Sequence, residues 1–207
     1  AVMQLAVSLY LAGSAVLQIL VPPLSDRFGR RPVILAALVI FVLATIAALF
    51  APSAEWFHAA RIVQAVVATG MALSRAVIRD MVPAEQAASM IGYVTMAMSV
   101  VPMIGPAVGG ALDEVFGWQA SFVLLIALGV LMIILIWADL GETAQPSGRS
   151  FAAQVREYPE LLASPRFWGY SSAASLASGS FFAYLGGAPF VGETVFHLSP
   201  AAVGYYF

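Results

Sequence analysis

Long apolar stretches alternate with short polar ones along the whole chain. An α-helix rises about 1.5 Å per residue, so about 20 apolar residues are needed to cross the ~30 Å hydrocarbon core of a bilayer. Hydrophobic residues make up 61% of the sequence and charged residues 10%, whereas about 25% of an ordinary soluble domain is charged. The pattern predicts an all-α, polytopic helical membrane protein. The apolar runs of sufficient length are at 2–22, 32–51, 54–77, 87–112, 119–138 and 167–191, followed by a stub from residue 200.

The basic residues indicate the orientation of these spans. All nine are arginines, and eight of them lie in or beside alternate connections between the runs. Because positively charged loops tend to remain in the cytoplasm, the first, third and fifth connections are predicted to be cytoplasmic. The ninth, Arg61, lies inside an apolar run, where a charge is costly and usually functional. The arginines of the connections are Arg27, Arg30, Arg31, Arg75, Arg79, Arg149, Arg156 and Arg166.

The longest polar connection divides the chain into two groups of spans. This connection is too short to form a domain with its own core. The first residues are already apolar, and the eight residues of the final stub reach only ~12 Å. We therefore expect the chain to be an internal fragment of a longer membrane protein. The predicted units are an N-terminal bundle at 1–138, a cytoplasmic loop between bundles at 139–166, and the start of a C-terminal bundle at 167–207.

Local signals predict where several helices begin and end. Pro22 and Pro23 are expected to end the first helix, because proline lacks the amide hydrogen and clashes with the preceding turn. Ser53 is expected to cap the third run. In the loop between the bundles, apolar side chains at helical spacing predict a short amphipathic helix on the cytoplasmic membrane surface. Those side chains are Phe151, Val155, Tyr158 and Leu162.

The spans differ in polarity. The runs at 32–51 and 119–138 contain almost no polar side chain, whereas the other four each contain at least two. Polar groups within a bilayer need partners inside the protein. We therefore expect the two apolar helices to form an outer, lipid-facing layer and the other four to line an interior. The two apolar helices are three spans apart, which suggests a repeated three-helix unit.

The connection after the first run, PPLSDRFGRRP, concentrates charges around a glycine. A loop needed only for orientation would explain the arginines but not the acid or the glycine. The segment resembles the loop between spans two and three of the major facilitator superfamily, G-x-L-A-D-R-x-G-R-K, with proline in place of the opening glycine. The resemblance implies a conformational latch, whose acidic residue engages charges and a helix end across the interface between bundles. The latch residues are Asp26, Arg27, Gly29, Arg30 and Arg31, with Asp80 at the inner end of the third run as a further candidate.

The segment ARIVQA places Arg61 deep in the third run. Arg61 lies eight residues beyond Ser53, which is about 12 Å into a helix at 1.5 Å per residue. His58 and Gln64 lie on the same face, at i−3 and i+3. The segment resembles the R-x-x-Q-G motif of span four in the same superfamily, which implies that Arg61 and Gln64 take part in substrate binding or proton coupling and that Arg61 pairs with an acidic group. The alternative is a structural arginine bonded to backbone carbonyls.

The segment MIGPAVGG in the fourth run resembles the G-P-x-x-G-G motif of span five in drug-exporting antiporters. Gly105 and Gly109 form a GxxxG face that permits close helix contact, while Pro106 removes an amide donor and can bend the helix. Paired glycines alone are common in apolar helices, so the specificity of the motif comes from Pro106 and from the second glycine, Gly110. The segments SFFAYLGGAPFV and RAVIRD are similar to the bicyclomycin and chloramphenicol resistance (Bcr/CflA) branch of drug:proton antiporters.

This resemblance covers spans two to seven and the start of span eight of the major facilitator fold. It implies a proton-coupled exporter of small drug-like compounds that works by alternating access in a bacterial inner membrane. We expect a monomer whose partners are the substrate, protons and the lipid bilayer, without a cofactor, a metal or nucleic acid. Every acidic residue lies in a connection or at the edge of a run. The proton-carrying carboxylate is therefore expected in a first span that precedes these residues.

Other classes of protein compete with this interpretation. A transporter of the same superfamily could move a metabolite such as a sugar or an amino acid. A membrane receptor that transports nothing is also compatible with the pattern. An intramembrane enzyme is disfavoured, because it needs a nucleophile with a base or a set of metal ligands within the spans. Cysteine is absent, and neither histidine lies deep in a run.

Overall fold

The computed structural model describes residues 2–144, 156, 158–199 and 202. Within these ranges all regular secondary structure is helical, as the apolar runs predicted. A short 3₁₀ segment, Ala65–Ala68, joins α3 to α4 without a break in direction. The helices are α1 (Val2–Phe28), α2 (Arg30–Leu49), α3 (Ala54–Gln64), α4 (Thr69–Met81), α5 (Ala84–Phe116), α6 (Gln119–Asp139), α7 (Tyr158–Ala163) and α8 (Pro165–Thr194).

Five segments of the described chain are long and apolar enough to cross a membrane. They correspond to the first five predicted runs, and α3, the 3₁₀ segment and α4 together form one of them. The sixth predicted run is the 30-residue helix α8, which is long enough to cross but is made less apolar by its serines and glycines. The five spans are Ser8–Phe28, Arg30–Leu49, Ala54–Met81, Ala84–Phe116 and Gln119–Asp139.

The prediction that Pro22 and Pro23 end the first helix is wrong, because α1 continues to Phe28. Proline removes the two backbone donors that would bond to the carbonyls of Gln18 and Ile19, and side chains form hydrogen bonds to the backbone of this segment. The Ser25 hydroxyl donates to the Pro22 carbonyl at 2.7 Å. The Tyr158 hydroxyl lies 3.4 Å from the carbonyl oxygen of Ile19, which the missing N–H of Pro23 leaves without its helical donor. The latch segment that was predicted as a loop therefore begins on the last turns of α1.

The core lies where α2 packs against α3 and α6. Phe41 and Val42 of α2 are buried together with Val66 of the 3₁₀ segment. A Cβ atom built on Gly129 of α6 would lie 2.7 Å from Val42 Cγ2, so the glycine allows the two helices to approach closely. Most of α6 is exposed, as expected for an outer helix, but α2 buries one face that includes Thr45. Helix α2 is thus less peripheral than predicted.

Ser53 caps α3 as predicted, with its hydroxyl accepting a hydrogen bond from the Trp56 N–H at 3.2 Å. The amphipathic helix predicted between the bundles falls mostly outside the described residues, which include only its last part as α7. Helices α5 and α8 expose most of their described side chains. In the described chain, α5 packs against α4 and α6, and α8 packs against α7.

Candidate functional site

Arg61 projects from a position about two turns inside a membrane span. It lies on α3, within the continuous span Ala54–Met81, and its side chain is half-buried. Its guanidinium carbon is 5.0 Å from the centroid of the Tyr10 ring on α1. The aromatic face attracts the cation and offsets part of its desolvation. Tyr10 was not predicted as a site residue.

A chain of hydrogen bonds leads from Arg61 into α2. Arg61 Nη1 donates to Gln64 Oε1, so the structure brings the two predicted residues together. Gln64 Nε2 in turn donates to Thr45 Oγ1 at 2.8 Å, and the Thr45 hydroxyl donates to the Phe41 carbonyl at 2.6 Å. Gln64 is 1% exposed and Thr45 is fully buried. The amide of Gln64 is thus fixed on one side by a charge and on the other by a buried hydroxyl.

Glycine allows α1 to lie close to this chain. A Cβ built on Gly13 would be 3.4 Å from both the Ala65 Cβ and the Ile62 carbonyl oxygen. These distances are at the near edge of ordinary van der Waals contact, so α1 and α3 pack closely at this small residue. The close approach places the Tyr10 ring beside Arg61.

The charge on Arg61 has no carboxylate partner in the part of the chain that the structure describes. A cation at this depth is tolerated only where polar or ionic groups compensate it, and Gln64 and Tyr10 supply neutral compensation. His58, one turn away, packs edge-on against Phe57 with ring centroids 6.1 Å apart. Its Nδ1 is buried and has no hydrogen-bond partner among the described residues.

The latch forms a second polar cluster, at the predicted cytoplasmic end of the helices. Arg30, the first residue of α2, pairs through Nη1 with Asp26 on the last turn of α1. Its Nε lies 3.0 Å from Asp80 Oδ2 at the end of α4, and its Nη1 also donates to the Ser25 hydroxyl. The Arg30 side chain is only 11% exposed. One guanidinium therefore joins three helices, and it brings together the predicted residues Asp26, Arg30 and Asp80.

The two other latch arginines lie outside this ion-pair cluster. Arg27 is exposed, and its guanidinium lies 5.2 Å from the centroid of the adjacent Phe28 ring. Arg31 donates from Nη2 to the Trp137 carbonyl at the end of α6, at 2.7 Å. A cation at a helix C-terminus is favourable because of the partial negative charge there. Arg31 thus ties the start of α2 to the end of α6.

The latch also contains a residue that the sequence did not indicate. Glu142 follows α6 and accepts a hydrogen bond from the Arg30 backbone N–H at 2.7 Å. Desolvation by burial would raise the pKa of its carboxyl, but the backbone N–H groups of Ala144, Arg30, Arg31 and Thr143 together lower the pKa below its ordinary value. Glu142 is therefore ionised at neutral pH.

The predicted helix-packing motif has no packing partner in the described structure. A Cβ built on Gly105 or Gly109 would meet no atom within 4 Å, and Pro106 lies inside α5 without ending it. Gly110 is half-buried. A close helix contact at this face therefore stays a prediction that requires a helix from elsewhere in the protein. In the described part, a close contact between two helices at a glycine occurs instead at Gly129.

Two further features of the described residues bear on ligands. No group of three or more His, Cys, Asp or Glu side chains there could hold a metal ion. A groove of about 450 Å³ lies between α2 and α3, lined by Ile40, Leu43, Ala44, Ala47, Trp56, Ala59, Ala60 and Val63. Its walls offer almost no polar atom, so it is not a site that could orient a polar ligand.

These features define a multi-pass helical membrane protein with a charged side chain inside its helix bundle and a charged cluster at one end. The family model described as Major Facilitator Superfamily matches residues 1–207. The chain therefore belongs to the major facilitator superfamily.

Several curated proteins are similar to this chain. The uncharacterized MFS-type transporter YdgK of Bacillus subtilis is 31% identical over 99% of the chain and 52% of its own length. The multidrug transporter MdfA of Yersinia pestis is 35% identical over 88% of the chain and 45% of its length. The multidrug resistance protein MdtM of Salmonella typhimurium is 33% identical over 83% of the chain and 42% of its length. The chain thus spans about half the length of these relatives.

Proposed function

We propose that the full-length protein is a proton-coupled exporter of small drug-like compounds that works by alternating access in a bacterial inner membrane. The observation that carries the proposal is the charge of Arg61, held within a membrane span by Gln64 and facing Tyr10. Such a charge is costly, and in membrane proteins it usually marks a substrate or proton pathway. The names of MdfA and MdtM as multidrug proteins support drugs as the substrate class.

Arg61 is suited to exchange partners during a transport cycle. Its present contacts are neutral, so a carboxylate that approached it would gain a favourable ion pair in a low-dielectric site. The charge would favour the ionised carboxylate and thus promote release of its proton. The described chain has no carboxylate at this depth, and we propose that the proton carrier belongs to the remainder of the full-length protein.

The latch would couple the proton transfer at Arg61 to the change between the states of the transporter. Arg30 joins the ends of α1 and α4 to the start of α2 through Asp26 and Asp80. Ion pairs that exist in one state and break in another bias the equilibrium between the states. We assign residues 1–138 to the N-terminal bundle, 139–166 to the connection and 167–207 to the start of the second bundle. The latch then lies at the cytoplasmic end of the first bundle.

The test is transport by the purified full-length protein in vesicles with an imposed pH gradient. Lipophilic drugs, sugars and amino acids would be compared as substrates. Drug movement that follows the gradient supports the proposal, whereas movement of a sugar or amino acid alone would establish the metabolite alternative. A protein that moves none of these, while retaining its fold, would contradict the assignment as a transporter of this kind.

Variants of Arg61 test the coupling site in the same assay. Arg61→Ala should lower gradient-driven export at least tenfold while the protein still inserts. Arg61→Lys should recover part of it, because an ammonium keeps the charge but not the planar geometry of the guanidinium. Arg75→Ala is the matched control, since Arg75 is an exposed arginine on the same span. Parental export and pH dependence in Arg61→Ala would assign Arg61 a structural role only.

A further inference from the structure

Glu142 joins the connection between the bundles to the start of α2. It lies three residues after the end of α6 and 112 positions from Arg30, yet its Oε1 accepts the Arg30 backbone N–H at 2.7 Å. The same oxygen accepts the N–H of Ala144 at 2.9 Å. One carboxylate therefore organises its own turn and simultaneously binds a distant helix end.

The start of α2 needs such a partner. Its N-cap residue is Gly29, which has no side chain to accept a hydrogen bond. The first N–H groups of a helix have no acceptor within the helix and bear a partial positive charge. Glu142 supplies both an acceptor and a negative charge at this position. Its contact with Arg30 replaces the local capping side chain that the sequence lacks.

Gly29 makes the approach of Glu142 possible. It has a φ of +98°, which side-chain-bearing residues rarely adopt. A Cβ built on Gly29 would also overlap the carboxylate of Glu142. The glycine of the latch is thus favoured by the backbone turn, and it also leaves room for the carboxylate in its present position.

The side chain of Arg30 forms the ion pairs of the latch. While Glu142 holds its backbone, the guanidinium engages Asp26 and Asp80. We propose that Glu142 is a positioning residue of the latch, which fixes the start of α2 so that Arg30 can bridge these two acids. This inference rests on the proposed transport function, because a latch has consequences only in a protein that changes state.

Position in the chain gives this contact a mechanical meaning. Residues 139–166 connect the two proposed bundles, and Glu142 lies at the beginning of that connection. Arg31 reinforces the attachment by donating to the Trp137 carbonyl. A displacement of the connection therefore reaches Arg30 directly through its backbone. Through Glu142, the stability of the ion pairs between Arg30 and the two acids would depend on the position of the connection between the bundles.

The first experiment measures drug export by full-length Glu142→Gln protein under a pH gradient. The amide has the shape of the carboxylate but lacks its charge, so the maximal rate should fall roughly fivefold, the size of a typical loss of a helix cap. The apparent KM for drug should be unchanged, because Glu142 contacts the start of α2 and its own turn rather than the proposed site at Arg61. Glu142→Asp should restore part of the rate. Glu160→Gln, an exposed carboxylate of the same connection, is the matched control and should export at the parental rate.

The second experiment distinguishes positioning from a separate structural role. If Glu142 acts through Arg30, Asp80→Asn and Glu142→Gln combined should lower the rate no further than the more severe single variant. Hydrogen exchange of residues 29–36 should also be faster in Glu142→Gln, because the backbone N–H groups of Arg30 and Arg31 then face a neutral acceptor, which forms a weaker hydrogen bond than a carboxylate. If Glu142→Gln fails to insert, Glu142→Asp replaces it in the combined variant.

The outcomes separate the two proposals. Parental protein that does not respond to a pH gradient would overturn the proposed function itself. Parental protein that exports drugs, with Glu142→Gln matching Glu160→Gln in rate and exchange, would overturn only the positioning role. The positioning role would also be overturned if the double variant lost export rate by the product of the two single-variant factors. That result would show that Glu142→Gln and Asp80→Asn act independently.

Discussion

The hydroxyl of Thr45 is predicted to hold Gln64 in place beside Arg61. Thr45→Val keeps the shape of the side chain but removes the acceptor that Gln64 Nε2 uses at 2.8 Å. Gln64 is 1% exposed, so its N–H group cannot turn to water. The carbonyl of Phe41, the acceptor for the Thr45 hydroxyl, keeps its helical backbone donor. The loss is therefore confined to one buried amide donor.

The size of this loss follows from what is known of hydrogen bonds within membranes. Side-chain hydrogen bonds between membrane helices contribute about 0.6 kcal/mol on average and at most about 1.7 kcal/mol. Because Gln64 has no access to water, we expect Thr45→Val to fall in the upper half of this range, at ~1–1.7 kcal/mol. Drug export should fall several-fold as well, since a released Gln64 amide no longer orients the guanidinium of Arg61.

The assay is reversible unfolding of the full-length protein in mixed micelles, together with export under a pH gradient. Thr45→Ser is the control, because it retains the hydroxyl and loses only a methyl group. Thr45→Val that is as stable as Thr45→Ser and exports at the same rate would refute the reasoning. It would mean that Gln64 finds another acceptor and that the hydrogen bond to α2 does not order the site.

Three further predictions follow from the helix contacts and from Glu142. Gly129→Leu should destabilise the packing of α2 on α6, because a Cβ there already lies 2.7 Å from Val42 Cγ2; unchanged thermal stability would contradict this. Gly105→Leu or Gly109→Leu should abolish export if a helix from the rest of the protein covers that face, and parental drug resistance in both would place the face against lipid. The lowered pKa of Glu142 gives stability that is fully present above its ordinary value of 4.5 and is lost as pH falls through the lower folded value; an acid unfolding profile unaffected by Glu142→Gln would disprove it.

The parts of the site that the sequence could predict depend on spacing that is short along the chain. Gln64 lies three positions from Arg61, so any helix brings them to the same face. Asp26 and Arg30 are four positions apart, and their ion pair needs only a short turn between two helices. The membrane spans were predictable for a related reason, since their length and apolar composition are local properties.

The missed contacts depend on tertiary placement. Glu142 meets Arg30 across 112 positions, and nothing in its local sequence indicates which helix end it will cap. Thr45 gave a weak signal, as a single polar side chain in an otherwise apolar run, but its partner could not be predicted without the packing of α2 on α3. Tyr10 meets Arg61 across 51 positions of the sequence, through the packing of α1 on α3.

The wrong prediction at Pro22–Pro23 has a different origin. The rule that proline ends a helix considers only the backbone donor that is lost. Here the Tyr158 hydroxyl approaches the Ile19 carbonyl, one of the two that lose a backbone donor, while Ser25 bonds to the Pro22 carbonyl one turn further on. The helix therefore continues despite a strong local preference, in the segment that leads into the latch.

The unbroken course of α1 through Pro22–Pro23 has a mechanical consequence. Backbone hydrogen bonds stiffen a helix along its axis. Because α1 lacks two consecutive ones at Pro22–Pro23, it should bend more easily there than in its other turns. Asp26 lies one turn beyond the prolines, on the short end of α1, and the longer part of α1 before the prolines spans the membrane. A small tilt of this longer part of α1 would displace Asp26 relative to Arg30 without unwinding any helical turn. Bending of α1 at the proline pair would thus change the distance between the charges of Asp26 and Arg30 at the membrane edge.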